Sequence, residues 1–296
     1  MTLSLPPLAS EVVFHLGALP VTNTMVNSFV AFVLFAIFAF FINRGVKKYY
    51  TKDQAPSGVV NFFESILEVI LGYIDNVTHD RKKTLKFLPI VGSLFLFILI
   101  SNWMGLIPGT GSIFRWISEN GHLTAIPLFR PADTDLNMTL AMAVFAVVGA
   151  HLIGIFTIGF FKYVNKFIKF GDLYHAIKSM KPINILTAVI EFFVGLIEVF
   201  SEVAKMVSLS LRLFGNIFAG EVLLTVIASL IGGYGAYLIP LPFEGLEMLV
   251  GLIQAIVFAM LTLVYLTMAT TEPHAHVESN IDHTHDSLEF SEVEKL

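Results

Sequence analysis

Residues 184–231 read NILTAVIEFFVGLIEVFSEVAKMVSLSLRLFGNIFAGEVLLTVIASLI, an apolar run interrupted by few charged side chains. A helix rises about 1.5 Å per residue, so this run would extend about 70 Å, whereas the hydrocarbon core of a bilayer is about 30 Å thick. Such a helix fits a membrane only if it is strongly tilted or bent, or if part of it lies outside the bilayer. The stretch therefore predicts an integral membrane protein with one unusually long, oblique helix.

Four further apolar runs flank this one, and the whole chain is poor in charge. Of its 296 residues, 55% are hydrophobic and 14% are charged, against about 25% charged residues in soluble domains. The sequence predicts an all-α integral membrane protein with five membrane-crossing helices. The predicted spans are 26–42, 87–107, 136–161, 184–231 and 243–269.

An amphipathic segment lies outside this set. Residues 59–77 carry Glu64, Glu68 and Asp75 among apolar positions, a pattern typical of a helix lying on the membrane surface. We expect it on the cytoplasmic face; a helix packed inside a soluble subdomain is the alternative. The domain plan is an outside N-terminal segment 1–24 without a cleaved signal peptide, a membrane domain 25–269 and a hydrophilic cytoplasmic tail 270–296.

The distribution of basic residues predicts the orientation. Cytoplasmic loops are enriched in Lys and Arg, and here the loops contain eight, two, five and no basic residues in chain order. The eight are Arg44, Lys47, Lys48, Lys52, Arg81, Lys82, Lys83 and Lys86. The first and third loops are thus cytoplasmic, which places the N-terminus outside and the C-terminus inside.

Polar side chains in the long run follow a helical spacing. Glu191, Glu198, Lys205 and Arg212 recur every seven residues, and Ser201, Ser208 and Asn216 lie three or four residues from members of this set, with Glu221 beyond them. A charge inside a bilayer is unfavourable by several kcal/mol, so such residues normally line an ion or substrate path. Glu191 and Lys205 are more simply interfacial.

Arg212 has two interpretations. It either pairs with Glu198, Glu221 or Glu247 as an inert buried salt bridge, or it acts electrostatically on a passing carboxylate. A guanidinium does not release its proton under ordinary conditions, but it favours the ionised form of a nearby acid. Arg212 is therefore interpreted as a barrier between two proton routes and not as a proton carrier.

The last span supplies partners. If 243–269 folds back antiparallel along 184–231, Glu247 comes near the depth of Glu221, and Gln254 comes nearer to Arg212. Small residues at Gly215, Ala219 and Gly220 would permit close helix approach.

Several segments of the chain resemble those of a known protein family. Residues 208–223, SLSLRLFGNIFAGEVL, resemble the signature of subunit a of bacterial F-type ATP synthases. PADTDLNMTLAMA at 131–143, IQAIVF at 253–258, LVYL at 263–266, SEVVF at 10–14 and VTNT at 21–24 agree with it in the same order.

The resemblance implies a proton-channel stator subunit in the bacterial cytoplasmic membrane. It would contact a ring of c subunits that carry the essential carboxylates, together with the b subunits of the peripheral stalk and other ATP synthase subunits. The resemblance implies that Arg212 is the essential arginine and that Ser208 is a polar position near it. Four residues are assigned to the outer half-channel and the surroundings of the arginine: Asn216, Glu221, Glu247 and Gln254. Glu198 and Ser201 are assigned to the inner half-channel, and Asp135 and Asn137 to the outer entrance. Related proteins often pair a Glu with a His where this chain has Glu221 and Glu247, and two adjacent carboxylates are expected to share at least one proton.

Other functions fit less well. The chain has no GxxxxGK[ST] nucleotide-binding loop and no cysteine. We therefore expect no catalytic site, no cofactor and no metal in this chain. The basic loops are expected to lie beside lipid and not nucleic acid. The His-rich tail, with His274, His276, His283 and His285, is expected to be flexible, with divalent metal binding as the alternative. His151 is expected to be a packing residue, with a polar lining of an access path as the alternative. A secondary ion-coupled transporter remains the competing function, although no internal repeat supports it; a voltage sensor would need several deep arginines.

Overall fold

The computed structural model describes residues 6–51, 58–107, 114–119, 122–167, 182–231 and 235–271. Five of the described helices are long and apolar enough to cross a membrane, which confirms the prediction of a helical integral membrane protein. The His-rich tail lies outside the described residues.

Eight α-helices are described. They are α1 (Asn23–Thr51), α2 (Val59–Thr78), α3 (Arg81–Gly105), α4 (Leu136–Ile158), α5 (Phe160–Phe167), α6 (Pro182–Ile231), α7 (Gly235–Leu238) and α8 (Leu241–Thr270). The run 184–231, predicted to be one long helix, lies within the single 50-residue helix α6; its tilt stays a prediction. The surface helix predicted over 59–77 corresponds to α2, and its membrane-surface location also stays a prediction.

The third predicted span, 136–161, is too long at its end. The helix stops at Ile158, and Gly159 has φ +96°, a backbone region that side chains other than hydrogen rarely adopt. The chain then resumes as the short helix α5. The glycine therefore separates two helices that a purely apolar pattern merges.

Two β-hairpins add strands that the sequence analysis did not predict. Strands β1 (Val12–Leu16) and β2 (Leu19–Thr22) pair antiparallel around Gly17-Ala18, and β3 (Phe114–Glu119) pairs with β4 (His122–Pro127). Gly17 has φ +66°, as two-residue hairpin loops require. In the sequence, Gly17-Ala18 between two apolar runs was the signal for the first hairpin.

The described residues divide into two compact units. The first comprises those within Met1–Ala146 and Met206–Val264, and the second comprises those within Val147–Lys205 and Tyr265–Leu296. Helices α4, α6 and α8 each contribute to both, because the unit boundaries fall inside these helices.

In the first unit, α1, α2 and α3 pack together, and a 3₁₀ turn at Ala132–Thr134 packs on α1 and α3. Asp80 caps α3 by accepting from the backbone N–H of Lys82 at 2.9 Å, and the Thr78 and Thr84 hydroxyls lie 2.7 Å apart. Arg81 forms an ion pair with Asp75. These contacts, with a left-handed residue at His79, close the turn between α2 and α3.

Helix α3 is also tied to α8 within this unit. The Asn102 amide donates to the Gly251 carbonyl at 3.2 Å, and the Trp103 indole donates to the Met248 carbonyl at 3.1 Å. Thr139 of α4 lies 3.1 Å from Ser210 of α6, hydroxyl to hydroxyl. The helices that carry the polar residues of interest are thus held by side-chain hydrogen bonds as well as by apolar packing.

Candidate functional site

Arg212 lies on an exposed face of α6. The exposed residues Ser208, Leu211, Gly215, Asn216 and Ala219 recur with it at helical spacing, whereas Leu209, Leu213 and Ile217 on the opposite face are buried. Among the described residues, Arg212 has no hydrogen bond or ion pair. The inert pairing of Arg212 with Glu221 or Glu247 is therefore absent from the described structure.

Asn216 and Gln254 link α6 to α8. The Asn216 amide nitrogen donates to the Gln254 side-chain oxygen at 2.9 Å, and Gln254 is 4% exposed. Its own amide nitrogen is buried without a partner among the described residues. Gln254, bonded to Asn216 on the Arg212 face, thus keeps both N–H donors of its amide without a partner among the described residues.

Glu247 is buried against α6 at Gly220. It is 6% exposed, and its Oε2 has no partner among the described residues. A methyl group at position 220 would overlap the Glu247 carboxylate, so glycine permits this approach without a shift of Glu247. Together with the Asn216–Gln254 bond, this contact confirms that α8 runs antiparallel to α6.

Glu221 has a partner that the sequence analysis missed. Arg130 is 2% exposed, and its guanidinium donates to both carboxylate oxygens: Nε lies 3.0 Å from Oε1, and Nη2 lies 2.9 Å from Oε2. Its Nη1 donates to the Ala9 carbonyl at 3.3 Å. From the sequence, Arg130 was only one of two basic residues in a predicted loop. No sequence pattern links residue 130 to residue 221, so their pairing was not predicted.

Asp135 and Asn137, expected at the outer entrance, lie at the start of α4. Asp135 Oδ1 accepts from the Asn137 backbone N–H at 2.9 Å, which caps the helix, and Oδ2 accepts from the Ser10 and Thr24 hydroxyls, each at 3.0 Å. This geometry fastens the N-terminal segment and α1 to α4. The Asn137 side chain itself is exposed.

Asp133 is a second residue that the sequence analysis did not single out. It is 0% exposed, and neither carboxyl oxygen has a partner among the described residues. Burial raises the pKa of Asp133 to about 7, because an apolar environment disfavours the charged form. Buried polar atoms without a partner among the described residues also occur on α1 and α3, the two helices on which the 3₁₀ turn of Asp133 packs, at Asn27, Ser101 and Asn102.

In the second unit, polar residues of four helices line one small cavity. His151 Nδ1 lies 2.6 Å from the Tyr163 hydroxyl, and its Nε2 lies 3.4 Å from Glu202 Oε2. Lys205 donates to Glu202 Oε1 at 2.7 Å and lies 5.3 Å from the centre of the Tyr265 ring. Glu198 also lines this cavity.

This cluster bears on two expectations. His151 lines a small cavity together with charged side chains, although its role as the lining of an access path stays a prediction, and Lys205 has both a carboxylate and an aromatic partner. Burial, and then the charges of Glu202 and Glu198, raise the pKa of Tyr163 to about 12. Ser201, expected beside Glu198, is exposed.

Glu202 was missed although its signal was present in the sequence. It precedes Lys205 by three residues, a spacing that brings opposite charges together on a helix.

Among the described residues, no group of three or more His, Cys, Asp or Glu side chains is arranged to hold a metal ion.

Comparison with known proteins gives a consistent family assignment. The sequence profile of the family described as "ATP synthase A chain" matches residues 25–267. ATP synthase subunit a of Mycobacterium ulcerans (strain Agy99) is 33% identical over 251 residues, which are 84% of this chain and 86% of the relative. The subunit a of Moorella thermoacetica is 29% identical over 254 residues, covering 86% and 93% of the two chains, and that of Syntrophobacter fumaroxidans is 33% identical over 224 residues, covering 76% of each.

The matched region contains the exposed arginine face of α6, the Asn216–Gln254 link, the buried Glu247 and the Arg130–Glu221 ion pair. Because the profile covers most of the chain and the relatives match it over most of their length, the chain belongs to the ATP synthase A chain family.

Proposed function

We propose that this chain is the proton-conducting stator subunit of a bacterial F-type ATP synthase and contains no catalytic site of its own. Its partners are the ring of c subunits, the b subunits of the peripheral stalk and the other ATP synthase subunits. It lies in the cytoplasmic membrane with the N-terminus outside and the C-terminus inside, and couples proton flow to ATP synthesis.

One observation carries the proposal. Arg212 lies on an exposed face of a helix that is apolar and long enough to cross a membrane, and it has no ionic partner among the described residues. A lipid-facing guanidinium is strongly unfavourable. The face must therefore meet a polar or acidic surface of another chain, and the small residues Gly215 and Ala219 on the same face permit close approach.

The remaining residues suit two separate routes. The outer route is lined by four polar residues of the first unit, Glu221, Glu247, Gln254 and Asn216, and Asp135 and Asn137 lie at the start of α4. The inner route consists of Glu198 and Ser201 with the cavity formed by His151, Glu202 and Lys205, which lie earlier in α6 or on its partner helices. Ser208 is one turn from Arg212.

Arg212 separates the routes electrostatically. A ring carboxylate that approaches the guanidinium loses its proton, because the positive charge favours the ionised form. The guanidinium does not release its own proton, so protons cannot cross from one route to the other without the ring. Net transport then requires rotation.

The test is substitution of Arg212 in inverted membrane vesicles that contain the complete ATP synthase. We expect Arg212→Ala to abolish ATP-driven acidification while the c-ring still copurifies, because the barrier charge is lost but the apolar face remains. Arg212→Lys retains a charge without the planar guanidinium, and Leu211→Ala on the same exposed face is the matched control that retains pumping. Normal coupled pumping by Arg212→Ala with an intact complex would contradict the proposal. Ion-driven solute uptake by the chain alone in liposomes would favour the transporter alternative.

A further inference from the structure

Two carboxylates of the outer route, Glu221 and Glu247, have opposite environments. Both oxygens of Glu221 accept hydrogen bonds from Arg130, at 2.9 to 3.1 Å. Glu247 is more buried, at 6% exposed, and its Oε2 accepts from no described residue. One acid is fully paired, and the other keeps an open oxygen.

The Arg130–Glu221 contact has the geometry of a permanent ion pair. Two parallel N–H donors on one carboxylate make the strongest kind of charge-assisted hydrogen bond in proteins. Protonation of Glu221 would replace an accepting oxygen by an O–H group facing a donor, and it would leave a 2% exposed guanidinium without a counter-charge. Leaving a buried guanidinium without its counter-charge is strongly unfavourable. Arg130 therefore holds Glu221 in place as its counter-charge.

Glu247 has the properties that Glu221 lacks. A buried carboxylate without donors is unfavourable, so proton uptake relieves it, and no ion pair has to break first. Its Oε1 side abuts Gly220, the residue directly before Glu221. Glu221 is thus held in its ion pair with Arg130, whereas the Glu247 carboxyl group has no ionic partner among the described residues.

We propose that Arg130 is a positioning residue that holds Glu221 as a fixed carboxylate, so that Glu247 alone carries protons on the outer route. This assignment rests on the proposed function and divides the roles of two acids that the sequence pattern treats alike. The Arg130 contact with the Ala9 carbonyl also ties the loop that carries it to the N-terminal segment, which keeps the guanidinium in place.

The consequence is a specific pattern of loss and rescue. In Glu221→Gln, the buried Arg130 loses its counter-charge, and an unpaired positive charge in the outer route should favour the ionised form of Glu247 and lower pumping by at least about tenfold. The double variant Arg130→Gln with Glu221→Gln removes both charges and should restore most of the pumping. Glu247→Gln should abolish pumping, and Arg130→Lys, which keeps the charge, should retain most of it.

ATP-driven acidification of inverted vesicles measures these outcomes, with c-ring copurification scored on the same samples. The inference is overturned if the double variant is as inactive as Glu221→Gln in an assembled complex, or if Glu247→Gln pumps normally. Arg212→Ala in the same series tests the proposed function separately, because its normal pumping would contradict the stator role whatever the acids do.

A second measurement needs no substitution. Dicyclohexylcarbodiimide reacts with protonated carboxyl groups in apolar surroundings, and mass analysis of peptides from this chain in the intact complex locates the product. We expect modification at Glu247 and none at Glu221, and modification at Glu221 in Arg130→Gln. Equal modification of both acids in the wild-type complex overturns the assignment, even if the glutamine variants fail to assemble.

Discussion

Arg130 and Arg212 illustrate how one residue type performs two tasks in apolar surroundings. Arg130 is 2% exposed and bidentate to Glu221, so its charge is neutralised inside the chain. Arg212 is exposed and has no partner among the described residues, so its charge is available to another molecule. Burial and pairing, and not residue identity, separate the positioning arginine from the proposed functional one.

Asp133 provides a test at the same scale that does not depend on the proposed function. Burial raises its pKa to about 7, so between about pH 4 and pH 7 the folded state holds a proton that the unfolded chain has released. Folded stability therefore falls as the pH rises through this window, by about 1.4 kcal/mol for each unit of pKa difference.

We expect Asp133→Asn to raise thermal stability more at about pH 8 than at about pH 5, because the amide cannot acquire the buried charge. Thermal unfolding of the detergent-solubilised complex at the two pH values measures the effect. Asp135→Asn is the matched control: Asp135 accepts three hydrogen bonds, and no gain at high pH is expected from it. An unchanged pH dependence in Asp133→Asn would show that the carboxyl is not buried in the folded protein.

At the scale of elements, the contact between α6 and α8 brings the polar residues together. Asn216 bonds to Gln254, and Glu247 lies against Gly220. The helix pair therefore needs a small residue at one place and hydrogen-bonding side chains at another. Apolar packing alone would leave the relative register of the two helices weakly determined.

Gly220→Ala tests this helix contact. The added methyl group overlaps the Glu247 carboxylate, so either the helices separate or Glu247 rotates, and we expect lower thermal stability and slower ATP-driven acidification. Gly245→Ala is the control, since a methyl group there meets nothing within 4 Å, and alanine favours the helix by about 1 kcal/mol. Equal behaviour of the two variants would contradict the close approach.

The orientation of the whole chain in the membrane is predicted from its loop charges and can be tested directly. The loop charges place the segment before α3 inside and the segment before α4 outside. The chain contains no cysteine, so single introduced cysteines can be labelled without background.

We expect Lys82→Cys to react with a membrane-impermeant maleimide only in inverted vesicles, and Ser118→Cys only in right-side-out vesicles. Ala31→Cys is the buried control, because Ala31 is 0% exposed, and it should react in neither preparation. Labelling of Lys82→Cys and Ser118→Cys from the same side would overturn the predicted number of crossings between them.

Local patterns predicted much of this architecture because membrane helices satisfy their backbone hydrogen bonds internally. The long α6, the antiparallel α8 and α2 all followed from apolar length and helical spacing. The two hairpins and the break at Gly159 were missed, because short strands and a single positive-φ residue leave weak signals beside long apolar runs.

The sequence alone indicates a helical membrane protein with one arginine, Arg212, inside an apolar run and a set of acids at helical spacing. Which charged side chains are paired depends on the tertiary structure. Arg130 is far from Glu221 in the chain and reaches it through a loop between a hairpin and a 3₁₀ turn, and His151 and Glu202 meet across different helices. Pairing of this kind depends on where the backbone places two distant residues, and no local periodicity carries that information.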